Sequence, residues 1–227
     1  MNRYSLIRRK LKREMVLLKG EGCKWKRCKF CDYHNDTDSD PFSTNKVVLE
    51  RVTGEFGTLD VINSGSATEL DAKTISLLQR VVVEKGIKTL WFEAHYIYRH
   101  KLEEFAQKFP GVEVKFRCGV ESFDPKMRAL WDKGIPESVL PEDIAKYFKG
   151  VCLLCCTEGD NPLRVVRDIE IALKHFEYLS LNLFCNNTTS VKRDDALYNW
   201  AVTELYPKIK DNPKIEILIE NTDLGIG

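Results

Sequence analysis

The chain has no apolar run near the ~18 residues that a membrane helix requires, so no membrane partner is expected. Its basic opening is followed by neither an apolar region nor a cleavage site, and a cytoplasmic protein is therefore expected. Surplus charge is also missing. Thirty-five Lys and Arg against thirty-four Asp and Glu leave +1, a balance that argues against nucleic acid as a partner. Eight cysteines in 227 residues are too few for a secreted disulfide scaffold, and clustered thiols in a reducing compartment point to metal or redox work. Internal repeats and low-complexity linkers are absent as well. With 43% apolar residues the chain can bury a full core, as one α/β domain or two small ones.

What is present is alternation. Strand-like runs fall at 14–18, 58–63, 87–93, 112–117, 150–156, 178–184 and 214–220. Helical patterns lie between them, at 45–55, 71–85, 99–108, 125–133, 141–148, 162–176 and 193–207. In the second of these Ile75, Leu78, Val81 and Val82 recur at helical spacing, and Gly86 stands where a helix stop belongs. Asp124-Pro125 and Asn161-Pro162 are helix-start pairs. The basic run Arg8–Arg13 is expected on the wet face of a short leading helix. Near-continuous apolar strands alternating with helices predict an α/β fold with a parallel sheet, and six such units suggest a partial barrel. The working face of such folds lies at the C-terminal ends of the strands.

The stretch EGCKWKRCKFCDYHND, 21–36, directly follows the first of these strands and carries Cys23, Cys28 and Cys31. Three readings fit it. With His34 the thiols form a C-x4-C-x2-C-x2-H zinc knuckle, though a structural zinc should staple a small lobe rather than lead a large α/β unit. The same spacing occurs in plant-type ferredoxins, which need a distant fourth cysteine. A [4Fe–4S] cluster on three cysteines would leave one iron open. The other five cysteines lie apart. In VCLLCC, the period of a strand sends Cys152 and Cys155 to opposite faces, so they read as small core residues rather than a chelating pair.

The loop resembles that of the radical S-adenosylmethionine (radical SAM) superfamily, whose usual form is C-x3-C-x2-C after strand one with an aromatic before the last cysteine. Phe30 fills the aromatic place, and the first gap is four residues instead of three. After the second of these strands NSGSATE stands where the family has a GGE-like turn, with Ser64, Gly65 and Ser66 in the turn and the acid displaced. CGVES matches a G-[IV]-E-[ST] pattern and places Glu121 and Ser122. The resemblance spans most of 14–185 and implies a partial (βα)6 barrel, a single radical SAM domain over 1–227 with 186–227 as a C-terminal extension. It also implies that Cys23, Cys28 and Cys31 hold a [4Fe–4S] cluster. Phe30, Ser64, Gly65, Ser66, Glu121 and Ser122 would then lie on the SAM side. Reduced flavodoxin or ferredoxin would supply the electron that cleaves SAM to a 5′-deoxyadenosyl radical.

Members that modify tRNA usually add an RNA-binding domain or a basic face, and with a net charge of +1 neither is expected here, which favours a small-molecule substrate over tRNA or a partner protein. Its compact length, the run into DYHND and the ENTDLGIG ending are similar to the queuine lyases of bacterial queuosine salvage. That similarity implies cleavage of queuine between its cyclopentenediol and its base, releasing preQ1. A deazaguanine edge offers a ring N–H and an amino group to one carboxylate. Strand-end acids Glu93, Glu158, Glu220 and Asp223 are candidates, with Glu93 first because an unpaired acid closing an apolar strand is costly. The diol would draw on His95, Asn186 and Asn187.

Overall fold

The computed structural model describes all residues, Met1–Gly227. Eight strands neighbour one another in chain order, β1 to β8. They are β1 (Tyr4–Ile7), β2 (Arg13–Leu18), β3 (Thr58–Asn63), β4 (Thr89–Glu93), β5 (Glu113–Glu121), β6 (Gly150–Cys155), β7 (Tyr178–Leu183) and β8 (Ile215–Leu218). The helices are α1 (Pro41–Leu49), α2 (Ala72–Glu84), α3 (Leu102–Ala106), α4 (Pro125–Leu130), α5 (Pro141–Ala145), α6 (Pro162–His175), α7 (Asp195–Trp200) and α8 (Tyr206–Ile209). None is long and apolar enough to cross a membrane.

The chain forms two compact units, and the first comprises Met1–Lys26, Tyr33–Arg117 and Leu224–Gly227. Here β1 pairs antiparallel with β2, and β2, β3, β4 and the start of β5 run parallel. The expected leading helix is not there. Arg8, Arg9 and Lys10 are exposed in the turn between β1 and β2, with Lys10 at φ 54°, while Arg13 is fully buried in β2. A solvated basic run looks the same in a turn as on a helix face, so charge alone does not separate them. Arg13 donates to Asp60 at 2.7 Å and Arg117 also donates to Asp60, giving this face of the sheet a buried ionic core. Met15, Leu17 and Ile62 pack with Ile7 and with Leu224 and Ile226 from the chain's end. On the other face Phe92 sits among Phe105, Phe109 and Phe116.

Helix α1 starts earlier and stops earlier than the expected 45–55. Pro41 fits the first turn. Beyond it the amides of Thr53, Gly54 and Glu55 donate to the Glu14 carboxylate, which takes that segment out of helix. The 99–108 pattern likewise begins as a tight 3-10 turn, Tyr96–Lys101, before α3.

The second unit comprises Arg27–Asp32 and Cys118–Asp223. Within it β6, β7 and β8 pair in parallel. Asp124 accepts from the Lys126 amide and Asn161 from that of Arg164, so both helix starts form as the sequence indicates. Strand β5 runs on to Glu121, which puts the GVE triplet inside the strand. The expected helix 193–207 is broken into α7, a π turn at Ala201–Leu205 and α8. Pro207 has no N–H to give to an upstream carbonyl, and a widened turn absorbs the mismatch.

Candidate active site

In the first unit β2 ends at Leu18 and the cysteine loop begins. The Gly20 amide donates to Ser64 Oγ at 3.3 Å, tying the start of the loop to the turn after β3. Cys23 is half-buried and free. The carboxylate of Glu69 accepts from the Lys24 amide at 3.0 Å, the Ser66 amide at 2.7 Å and the Tyr98 hydroxyl at 2.6 Å. Burial and then that Glu69 bond push the Tyr98 phenol well above its ordinary value, so it stays a donor. Gly65 has no side chain for a structural reason: a Cβ there would collide with the Glu69 carboxylate and lie 3.3 Å from Cys23 Cα. Ser66 Oγ accepts from the His95 amide at 2.9 Å. His95 Nδ1 caps the next turn by accepting from Ile97 N at 3.2 Å, and its ring stacks on Trp25 of the loop with centroids 5.2 Å apart.

The turn residues Ser64, Gly65 and Ser66 therefore meet His95 and the Cys23–Trp25 stretch. Two residues here escaped the sequence reading. Glu69 was visible only as an acid in the wrong place. Asn63 donates to Ser66 O at 3.3 Å, while its Oδ1 is buried without a partner. Glu93 ends β4 with its side chain 37% exposed and 3.5 Å from Arg117 Nε, so the argument from an unpaired carboxylate does not hold. His34 is half-buried on a short turn.

In the second unit Cys28 and Cys31 are half-buried and form no disulfide. Their stretch is gripped by the end of α4. The last carbonyls of a helix lack intrahelical partners, and that of Trp131 accepts the Lys29 amide at 3.0 Å. Phe30 meets the Trp131 ring edge-on at 5.8 Å and joins a cluster with Met127, Leu154, Phe184 and Val191. Asp132 pairs with Arg27 at 3.2 Å. Asn187 Nδ2 donates to Phe30 O at 2.8 Å, and Thr188 donates twice to Asp32.

Glu121 is buried at φ 65°, and its carboxylate takes the Lys133 ammonium at 2.9 Å. The acid thus has the structural partner that the sequence did not reveal. Ser122 donates to Asp168 at 2.6 Å and accepts from the Asp124 amide at 3.0 Å. Burial raises the Asp168 carboxyl against the pull of Ser122 and Arg164. Asn186 Oδ1 accepts from the Arg193 amide, and Asp223 accepts from the amides of Ile219 and Glu220, both as turn locks. Glu158 is exposed, with its amide on Lys192 O. Cys118, Cys152, Cys155 and Cys156 are buried, as core residues should be. The Cys155 thiol is pushed up by its contact with Cys156 and by burial, which leaves it protonated and inert.

Three cysteines on the loop behind β2, then a serine-glycine turn and a strand-end acid, follow one another along the chain in the order of the radical SAM class. No protein-family model and no curated protein matches the chain significantly. Among solved structures it is similar to the queuine lyase from Clostridium spiroforme bound to SAM and queuine. The identity is 39%, the match covers 100% of this chain and 99% of that one, and the TM-score is 0.95. The chain belongs to the queuine lyase family of radical SAM enzymes, and its fold class is the partial α/β barrel of that superfamily.

Proposed function

We propose that the chain binds a [4Fe–4S] cluster and SAM and cleaves queuine, releasing preQ1, in the cytoplasm. The observation that carries this is the full-length match to a protein that binds SAM and queuine. The donor set fits the cluster: Cys23, Cys28 and Cys31 are three thiols outside any disulfide, half-buried and on one loop, while the strand cysteines are buried. Reduced and bound, the cluster would supply the one-electron cleavage of SAM. The residues of the chain do the rest. Gly65 lets the backbone approach SAM closely, and Ser64, Ser66 and the unpartnered Asn63 Oδ1 lie beside it to receive donors. Phe30 and Ser122 hold their stretches of backbone in place. Glu121 meets a donor group of SAM from its strand end.

Glu93 is the first candidate to read the deazaguanine edge, because it closes β4 with a guanidinium fixed beside it. His95, Glu158, Asn186 and Asp223 are secondary candidates, since three of these side chains already serve as caps or turn locks. Reduced flavodoxin or ferredoxin is the electron donor.

The test is anaerobic reconstitution followed by SAM, queuine and a strong reductant, with preQ1 and 5′-deoxyadenosine measured together. Both should form, and Cys28→Ser should lose both. 5′-Deoxyadenosine without preQ1 would mean another substrate, and neither product from an iron-loaded enzyme would sink the radical reading.

A further inference from the structure

Three residues after the end of α4, Lys133 is a buried lysine, 7% exposed. Its ammonium lies 2.9 Å from Glu121 Oε1 and 5.6 Å from the centre of the Phe30 ring. Burial pulls its pKa down, but the charge of Glu121 at hydrogen-bond distance raises it above the ordinary value, so it remains charged. A buried ion pair is a weak source of stability, because desolvation offsets the attraction. The local backbone is nevertheless shaped around this one. Glu121 adopts φ 65°, a conformation that side chains other than glycine seldom take. Gly119 leaves the space: a Cβ there would lie 2.7 Å from Glu121 Oε1 and 3.1 Å from Lys133 Nζ. The same cation rests on the ring that stands between Cys28 and Cys31 in the loop.

We propose that Lys133 is a positioning residue with two outputs: it holds the Glu121 carboxylate in its folded-back pose for SAM, and it places a fixed positive charge beside the Cys28–Cys31 stretch. This rests on the radical SAM reading above. A positive charge near a thiolate-bound cluster favours the reduced, more negative state, so its removal should make the cluster harder to reduce. Trp131 and Asp132 grip the same loop through a carbonyl and a surface pair, so the loop keeps its place when Lys133 changes.

The experiment compares the wild-type holoenzyme with Lys133→Met, Lys133→Arg, Glu121→Gln and the Glu121→Gln/Lys133→Met double variant. Three quantities are read: iron per chain, SAM affinity, and the cluster midpoint potential by EPR-monitored titration. Failure of the wild type to load iron or bind SAM would strike the underlying reading and not the role of Lys133. Lys133→Met should keep its iron, weaken SAM binding by at least about tenfold, and lower the potential. Lys133→Arg should restore the potential. The double variant leaves no orphaned charge, so it folds if burial of a lone carboxylate harms the single variant. It should recover the wild-type potential and bind SAM no more than about threefold worse than Glu121→Gln alone. Fully additive losses in the double variant would overturn the positioning role. So would an unshifted potential in Lys133→Met, or one that the double variant does not reverse.

Discussion

The early part of the cysteine loop hangs on one carboxylate, while the later part has a main-chain carbonyl among its anchors, beside contacts from Asn187 and Thr188. Lys24 gives its amide to the Glu69 carboxylate, which also holds Ser66 and Tyr98, whereas Lys29 gives its amide to the carbonyl of Trp131. One substitution at Glu69 removes three acceptor contacts at once. No substitution at position 131 removes its carbonyl; only unravelling the end of α4 would. The two anchors should therefore fail differently: the first in loop order without much loss of fold, the second in fold without much loss of loop order.

The largest effect should come from Trp131→Ala. The ring is 1% exposed and packs against Phe30 and the Met127, Leu154 and Phe184 cluster. Emptying that volume should cost ~3–5 kcal/mol. Urea unfolding of the apo-protein reads the cost, and iron per folded chain should stay close to wild type. A folded Trp131→Ala protein that takes up no iron would show that the ring, and not the carbonyl, anchors the loop.

Glu69→Ala should cost less stability and more iron. Its carboxylate accepts three hydrogen bonds, so removing it strands two amides and a hydroxyl, at a total of about 2–3 kcal/mol. Reconstituted iron content should fall well below that of Trp131→Ala at equal folded fraction. Full iron loading would end the contrast between the two anchors. Tyr98→Phe takes away only one of the three donors and should cost about 1 kcal/mol, with iron content near normal.

Much of this was legible beforehand, and the limits have physical causes. The parallel strands and their order of helices follow from apolar runs and proline-marked helix starts, which are local signals. The cysteine triplet and CGVES likewise carry their meaning in spacing. Glu69 did not, because its three bonds reach residues 24, 66 and 98, and nothing near it in sequence announces them. Lys133 sits in a tetrapeptide, WDKG, that reads as an ordinary helix end. Its burial is decided by Glu121 and Phe30, which belong to other elements. Charge misled in the opposite direction at Arg13, where a basic run hides a fully buried guanidinium whose partner, Asp60, lies two strands on from β1.

The smallest effect is expected at Asp132, and it sharpens the comparison most. Its side chain pairs with Arg27 at 3.2 Å, but the Arg27 side chain is 63% exposed. A surface pair of that kind contributes below about 1 kcal/mol. Asp132 also adopts φ 51°, where the chain leaves α4. Glycine takes that conformation without the steric penalty, a relief of about 1 kcal/mol, although it adds freedom to the unfolded chain. Asp132→Gly should therefore change stability by less than about 1 kcal/mol in either direction. It should also leave iron content untouched, because the Trp131 carbonyl still receives the Lys29 amide. Both are measured on one preparation, by urea unfolding of the apo-protein and iron analysis after reconstitution. A marked loss of iron from a stable Asp132→Gly protein would transfer the later anchor from the main chain to the Arg27–Asp132 pair. Both parts of the loop would then depend on side-chain carboxylates, and the contrast between them would disappear.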